Sequence, residues 1–326
     1  MNIFNRIMWQ LMAVLVLMAL AAGVVRADGG TPIDIEADGA APLPVQPAAE
    51  QDGLSTNDGE PPIPPDAANE DFYVYVSAPG NGTVAGIAYT DEDVMRQDTA
   101  TGQWTKAFDG TNHGLPASAD IDAFDFSNPN LYSQFYMSFD KPVAVPGLGT
   151  VDDSDVVMRS CFLGSCSWTL IFDGSAHGLT TDAEDIDGLD VSGQNIYIST
   201  VGGYAVPKYG GGTLKGGDED IIIYAGSINS FVMRFDGSTK GLAAGNDLKN
   251  FDLDRHFVPD RDWIFMTFED PFTYLHSSGP VSGVPNDILV DEMPNGGSAG
   301  APRAGIIWDA SAEGFPKVDA IELVEK

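Results

Sequence analysis

From residue 71 onward the chain is written in short runs where apolar and polar positions alternate. Each run is bounded by Gly, Pro, Asp or Asn, and no stretch carries a helical period. Four kinds of run follow one another in a fixed order. Strand a reads IDAFDFS from Ile121 and IDGLDVS from Ile186. Strand b is aromatic-rich and ends in a hydroxyl, as in Tyr75-Val76-Ser77, Tyr136-Met137-Ser138, Tyr197-Ile198-Ser199 and Phe265-Met266-Thr267. Strand c follows an acidic pair, as in SDVVMRS from Ser154, and strand d reads SWTLIFDG from Ser167. A nine-residue phrase closes each set: AFDGTNHGL at 107–115, IFDGSAHGL at 171–179, RFDGSTKGL at 234–242 and the divergent IWDASAEGF at 307–315.

Phe108, Phe172, Phe235 and Trp308 mark a period of 64, 63 and 73 residues. Four antiparallel strands per period, repeated, describe the blades of a β-propeller. Three complete blades span 120–173, 185–236 and 247–309. Ahead of them stand only strands b, c and d, beginning at DFYVYVS; behind them stands a lone strand a, KVDAIELVE. The two partial sets complete one blade, so the expectation is an all-β, four-bladed propeller. The C-terminal strand closes the ring on the first strand and removes two exposed edges. The nine-residue phrase then reads as architecture: Asp-Gly turns the chain and the final Leu re-enters the core. Its seventh residue varies between His113, His177, Lys240 and Glu313, which suits an exposed loop.

Strand a, as IDAF at Ile121, IDGL at Ile186 and VDAI at Val318, resembles the inner strand of hemopexin-like domains. LKNF at Leu248 departs from that pattern. The resemblance implies four blades around a central channel that holds ions; the ring-closing disulfide of that family is absent. The fuller repeat also resembles repeats in uncharacterised secreted bacterial proteins, a likeness that implies no function.

The first 70 residues read differently. Arg6, the apolar run 7–25 and the small residue Ala27 predict a signal peptide over 1–27, with an uncleaved anchor as the alternative. Residues 28–70 carry ten acids, no Lys or Arg and a proline-rich end, which predicts a disordered acidic tether. The folded part, 71–326, holds 38 acids against 14 Lys and Arg. That balance excludes nucleic acid as a partner, and nothing spans a membrane once the signal is removed. The expected location is secreted, periplasmic or cell-surface. The expected state is a monomer, with an extracellular protein or glycan as partner. In that setting Cys161 and Cys166 are expected to form a disulfide across a hairpin tip.

Candidate chemistry lies in the carboxylates of strand a. Asp122, Asp187 and Asp319, with Asp125, Asp190, Asp252 and Glu322 three places on, converge on one axis if strand a is innermost. Crowded like charges raise one another's pKa unless a cation intervenes, and Ca²⁺ takes six to eight oxygens. These acids are therefore metal candidates, with bonds to backbone amides as the alternative. The acidic pairs Asp91/Asp93, Asp153/Asp155 and Asp218/Asp220, and the single Asp287, read as structural strand entries that also suit a cation. Lys249 stands where other blades carry Asp and supplies a counter-charge. Arg255, His256 and Arg261 join it as binding candidates, interleaved with Asp252, Asp254, Asp260 and Asp262, with which they can pair. No nucleophile elbow, zinc motif or phosphate loop appears. The sequence thus favours a non-catalytic binding or structural module. The alternative is a carbohydrate-active enzyme using channel carboxylates.

Overall fold

The structure, a computed structural model, describes residues 71–126, 134–258, 261–277, 279–294, 304–315 and 317–326, except for the side chains at 254–258, 261–262, 292–294 and 325. The expected signal segment (1–27) and tether (28–70) lie outside the described residues.

Four four-stranded antiparallel sheets follow the four sequence repeats. Blade 1 holds β1 (Phe72–Val76), β4 (Val94–Asp98) and β5 (Gln103–Phe108). Blade 2 holds β6 (Ile121–Phe126), β7 (Gln134–Phe139), β10 (Val156–Phe162) and β11 (Ser165–Phe172). Blade 3 holds β12 (Ile186–Ser192), β13 (Asn195–Thr200), β16 (Ile221–Ala225) and β17 (Ser230–Phe235). Blade 4 holds β18 (Asn250–Val258), β19 (Arg261–Thr267), β22 (Asp287–Pro294) and β23 (Ala304–Asp309). The C-terminal β24 (Ile321–Glu325) completes blade 1 by antiparallel pairing with β1, Val76 opposite Ile321 and Phe72 opposite Glu325. The inner strands β6, β12, β18 and β24 contact one another in cyclic order, so the ring closes as the split repeat predicts.

Each blade also carries a hairpin between its second and third strands, which the alternating pattern did not predict. These are β2 (Gly82–Val84) with β3 (Ile87–Tyr89), β8 (Val143–Val145) with β9 (Gly149–Val151), β14 (Tyr204–Pro207) with β15 (Thr213–Gly216), and β20 (Phe272–His276) with β21 (Gly279–Gly283). Strands of three to five residues, broken by Gly and Pro, are too short to register as a period.

The apolar core is divided into four layers, one between each pair of neighbouring blades. Blades 1 and 2 meet through Phe108, Phe124, Phe135 and Val157, blades 2 and 3 through Phe172, Leu189, Ile222 and Phe231, and blades 3 and 4 through Phe235, Phe251, Ile264 and Tyr274. The closing interface between blades 4 and 1 gathers Trp104, Trp263, Trp308 and Phe315. There Trp104 and Phe315 stack with centroids 5.5 Å apart. The extra hairpins contribute Val84, Val145, Val206 and Tyr274 to these layers, so they cover core that four strands alone leave open.

Candidate functional site

The repeated phrase and the acidic pairs form one device. Asp93, Asp155 and Asp220 each accept, through Oδ1, the backbone N–H of the phrase glycine: Gly110, Gly174 and Gly237, all at 3.1 Å. Through Oδ2 each also accepts an amide three residues upstream, at Thr90, Asp152 and Gly217. A Cβ on any of those glycines would strike the backbone carbonyl of Glu92, Ser154 or Glu219. The fourth phrase has Ala310 there. Its opposing residue, Asn286, adopts φ 69°, a local backbone unlike that of its counterparts. The phrase aspartates Asp109, Asp173, Asp236 and Asp309 accept the amides three residues on, which sets the tight turn that follows. The phrase is architecture, as its recurrence implied.

Its seventh residue is not simply a loop position. In every blade it reaches the residue of strand c in the next blade that lies four places after the strand-entry aspartate Asp93, Asp155, Asp220 or Asp287. His113 Nδ1 meets Arg159 Nη2 at 3.0 Å, and His177 packs on the Tyr224 ring at 4.5 Å. Lys240 Nζ stands 3.4 Å from Asp291 Oδ2, and Glu313 accepts from Gln97 Nε2. The pairs join residues that are chemically complementary but distant in the chain. The sequence signal lay in comparing those two columns together.

The inner-strand acids separate into two tiers. In the outer tier, Asp125 Oδ2 accepts the Val191 amide at 2.8 Å, Asp190 Oδ2 the Leu253 amide at 3.1 Å, and Asp252 Oδ2 the Leu323 amide at 2.8 Å. Each acid thus bonds the inner strand of the next blade, and Glu322 occupies the equivalent place on β24. Inner strands pair on one side only, so their outward amides need an acceptor, and these carboxylates supply one to each of β12, β18 and β24.

The inner tier is Asp122, Asp187, Lys249 and Asp319. Bulges between Ile121 and Ala123, and between Ile186 and Gly188, put Asp122 and Asp187 outside the regular ladder. Lys249 Nζ lies 3.1 Å from Asp319 Oδ1 and 3.2 Å from Glu269 Oε2, so it supplies the counter-charge expected of it. Asp187 is 2 % exposed, and neither of its oxygens takes a hydrogen bond of regular geometry, although Asp247 and Ser199 stand beside it. Asp319 Oδ2, Asp120 Oδ1, Asp185 Oδ1 and Asp247 Oδ1 are likewise buried without one. Burial, then the charges of neighbouring acids, pushes Asp122 and Asp187 well above the usual carboxylate range. For the same reasons Asp120 and Asp185 rise to about 8. Burial also raises Asp319, to about 6, although Lys249 pulls it down. Burial opposes the charge of Lys249, but Asp319, Asp122 and Glu269 outweigh it and hold its pKa above the ordinary value. Among the described residues no three His, Cys, Asp or Glu side chains stand together as a ready ligand set. The side chains of Arg255, His256 and Arg261 lie outside the described residues.

At the outer end of blade 2, Cys161 and Cys166 face each other across β10 and β11 and are joined as a disulfide. The two-residue turn beyond them places Leu163 at φ 49° and Gly164 at φ 81°. Phe162 and Leu163 stand 78 % and 91 % exposed at this tip.

No family profile and no curated protein matches the chain. Among solved structures it is similar to YjhT, at 13 % identity and a TM-score of 0.27. That match covers 65 % of this chain and 52 % of the other, so the chain spans about half that structure's length. It is also similar to a chain of a nidogen/laminin complex, at 8 % identity and a TM-score of 0.35, covering 78 % of this chain and 98 % of that one. A protein from Lactobacillus plantarum is similar at 9 % identity and a TM-score of 0.32, covering 78 % and 100 %. Identities and scores this low carry no argument about function. Among the described residues no helix is long and apolar enough to cross a membrane.

Proposed function

We propose that this chain is a non-catalytic binding module displayed outside the cell, and that its partner is a protein or glycan met there. The carrying observation is the hairpin tip of blade 2. Phe162 and Leu163 are held in water by a disulfide directly beneath them. Exposed apolar side chains cost solubility, and Leu163 sits where a side chain disfavours the backbone. A cross-link under such a tip fixes its shape before contact, which lowers the ordering cost of binding. The disulfide itself favours an oxidising compartment, in line with the signal segment read at 1–27. The test is capture from native culture fluid by the immobilised whole chain, beside a variant carrying Phe162→Ser and Leu163→Ser. A partner retained by the wild type and lost by the folded variant is expected. Equal retention by both, or none by either, overturns the reading.

The same module is calcium-stabilised in this reading. The support is the inner tier, where buried carboxylate oxygens take no hydrogen bond of regular geometry and hard oxygen ligands suit a hard cation. Asp122 and Asp187 would hold the ion. Millimolar Ca²⁺ should raise the melting temperature and EDTA lower it, because a ligand held only by the folded state stabilises by mass action. The double variant Asp122→Asn, Asp187→Asn should lose that response while still folding. A melting curve indifferent to both additions would leave protons and the Lys249 charge as the compensation for these acids.

A further inference from the structure

The four cross-blade positions on strand c are Gln97, Arg159, Tyr224 and Asp291, and one of them breaks the pattern. Gln97 bonds Glu313 and the Trp308 indole, Tyr224 meets His177, and the Asp291 carboxylate is answered by Lys240. Arg159 alone is a full charge without a counter-charge. It is 9 % exposed, and no carboxylate lies within ion-pair distance of it among the described residues. Its Nη2 donates to His113 Nδ1 at 3.0 Å and to Cys166 Sγ at 3.1 Å, and its carbon end lies over the Phe108 ring. Among the described residues nothing else engages the guanidinium, although the domain around it is strongly acidic. A buried charge left unanswered in this way costs stability, so a function is the natural reason to keep it.

Arg159 lines an open cavity of about 760 Å³ between blades 1 and 2. Asn112 and His113 form one side, Trp168 and the disulfide hairpin another, and the bare backbones of Gly114, Gly147 and Gly164 the rim. Burial and the Arg159 charge hold the His113 imidazole below its ordinary pKa, so at neutral pH it carries a single proton. Because Nδ1 accepts from Arg159, that proton sits on Nε2 and is a second donor. The cavity thus combines a guanidinium charge, amide and imidazole hydrogen-bonding groups and a half-buried indole.

We infer that this cavity binds a sugar carrying one carboxylate, a hexuronate, with Arg159 pairing the carboxylate and Trp168 packing on the ring. Both Nη2 hydrogens are taken by His113 and Cys166, so the carboxylate is met through the guanidinium charge and the Nη1 and Nε donors. The indole offers a flat apolar face to the C–H face of a pyranose, and Asn112 and His113 offer partners to its hydroxyls. The net charge of the domain disfavours a densely charged polyanion and leaves room for a single acidic group. The inference rests on the binding-module reading and names a ligand for a site beside the hairpin tip.

The experiment is calorimetric titration of the whole, oxidised chain with glucuronate, glucose and a neutral tripeptide with a free C-terminal carboxylate. Glucuronate should bind, with glucose and the peptide at least about tenfold weaker. Arg159→Gln should lose glucuronate binding by a similar factor, with folding checked by melting. Trp168→Ala, which keeps the guanidinium, should also weaken it. Should Arg159→Gln fail to fold, the ligand comparison on the wild type and the Trp168 variant decide. Absence of glucuronate binding at millimolar concentration, equal binding of glucose, preference for the peptide, or indifference to both substitutions would each overturn the inference. Any of these results with tip-dependent capture intact would leave the module reading standing.

Discussion

Replacing Asp252 by Ala tests how the ring is held together. Asp252 lies on β18, and its Oδ2 accepts the Leu323 amide of β24 at 2.8 Å in a buried setting. Leu323 faces Val74 across the ladder, but its amide points to the neighbouring blade, where the Asp252 carboxylate accepts it. The substitution removes a charge-assisted bond worth about 1.5–3 kcal/mol and leaves a buried donor unsatisfied at a cost of about 1–3 kcal/mol. These overlap, so a net loss of about 3 kcal/mol is expected, or about 6–12 °C in melting temperature for a domain of this size. Asp252→Asn retains an acceptor and should lose less than half as much. Asp190→Ala, which frees the Leu253 amide, should match Asp252→Ala, since the bond is the same device one blade earlier. The assay is thermal unfolding by circular dichroism in EDTA, with hydrogen exchange at the Leu323 amide as the local readout. EDTA separates the amide bond from any contribution of these acids to a bound cation. A melting temperature within about 2 °C of wild type, with Leu323 still protected, would refute the argument.

Two further outcomes follow from the same geometry. Deleting residues 317–326 removes β24, strips Ile321 and Leu323 from the closing interface and leaves β1 as an open edge; aggregation is expected by light scattering, and a soluble monomer of unchanged melting temperature would count against ring closure. In EDTA the protein should lose stability as pH rises from about 5 to 9, because Asp120 and Asp185 keep protons up to about 8 when folded but release them near 4 when unfolded. Their contribution is complete below the unfolded value and is lost as pH passes the folded one, the reverse of ordinary acid denaturation; Asp185→Asn should flatten the slope, and a melting temperature that climbs across this window would refute the assignment.

The blade count, the order of strands and the ring closure were legible in the chain, because each rests on a period. A strand that alternates shows which face is buried, and a repeat split between the two ends shows which strands must meet. The phrase at 171–179 was legible as a turn for the same reason: Asp173, Gly174 and Gly178 act on residues within a few places of themselves. The pairing of Cys161 with Cys166 was equally local. What the tertiary structure decided lies between blades. The sequence treated Asp122 and Asp125 alike, yet a bulge turns one out of the ladder while the other bonds Val191, 66 residues away. It read His113 as a loop residue, although Arg159 of the next blade holds it. The short hairpins carried no period and became visible only as covers for the interface core. A one-dimensional pattern records the face a side chain presents, whereas its partner depends on which neighbour the closed ring brings within bonding distance.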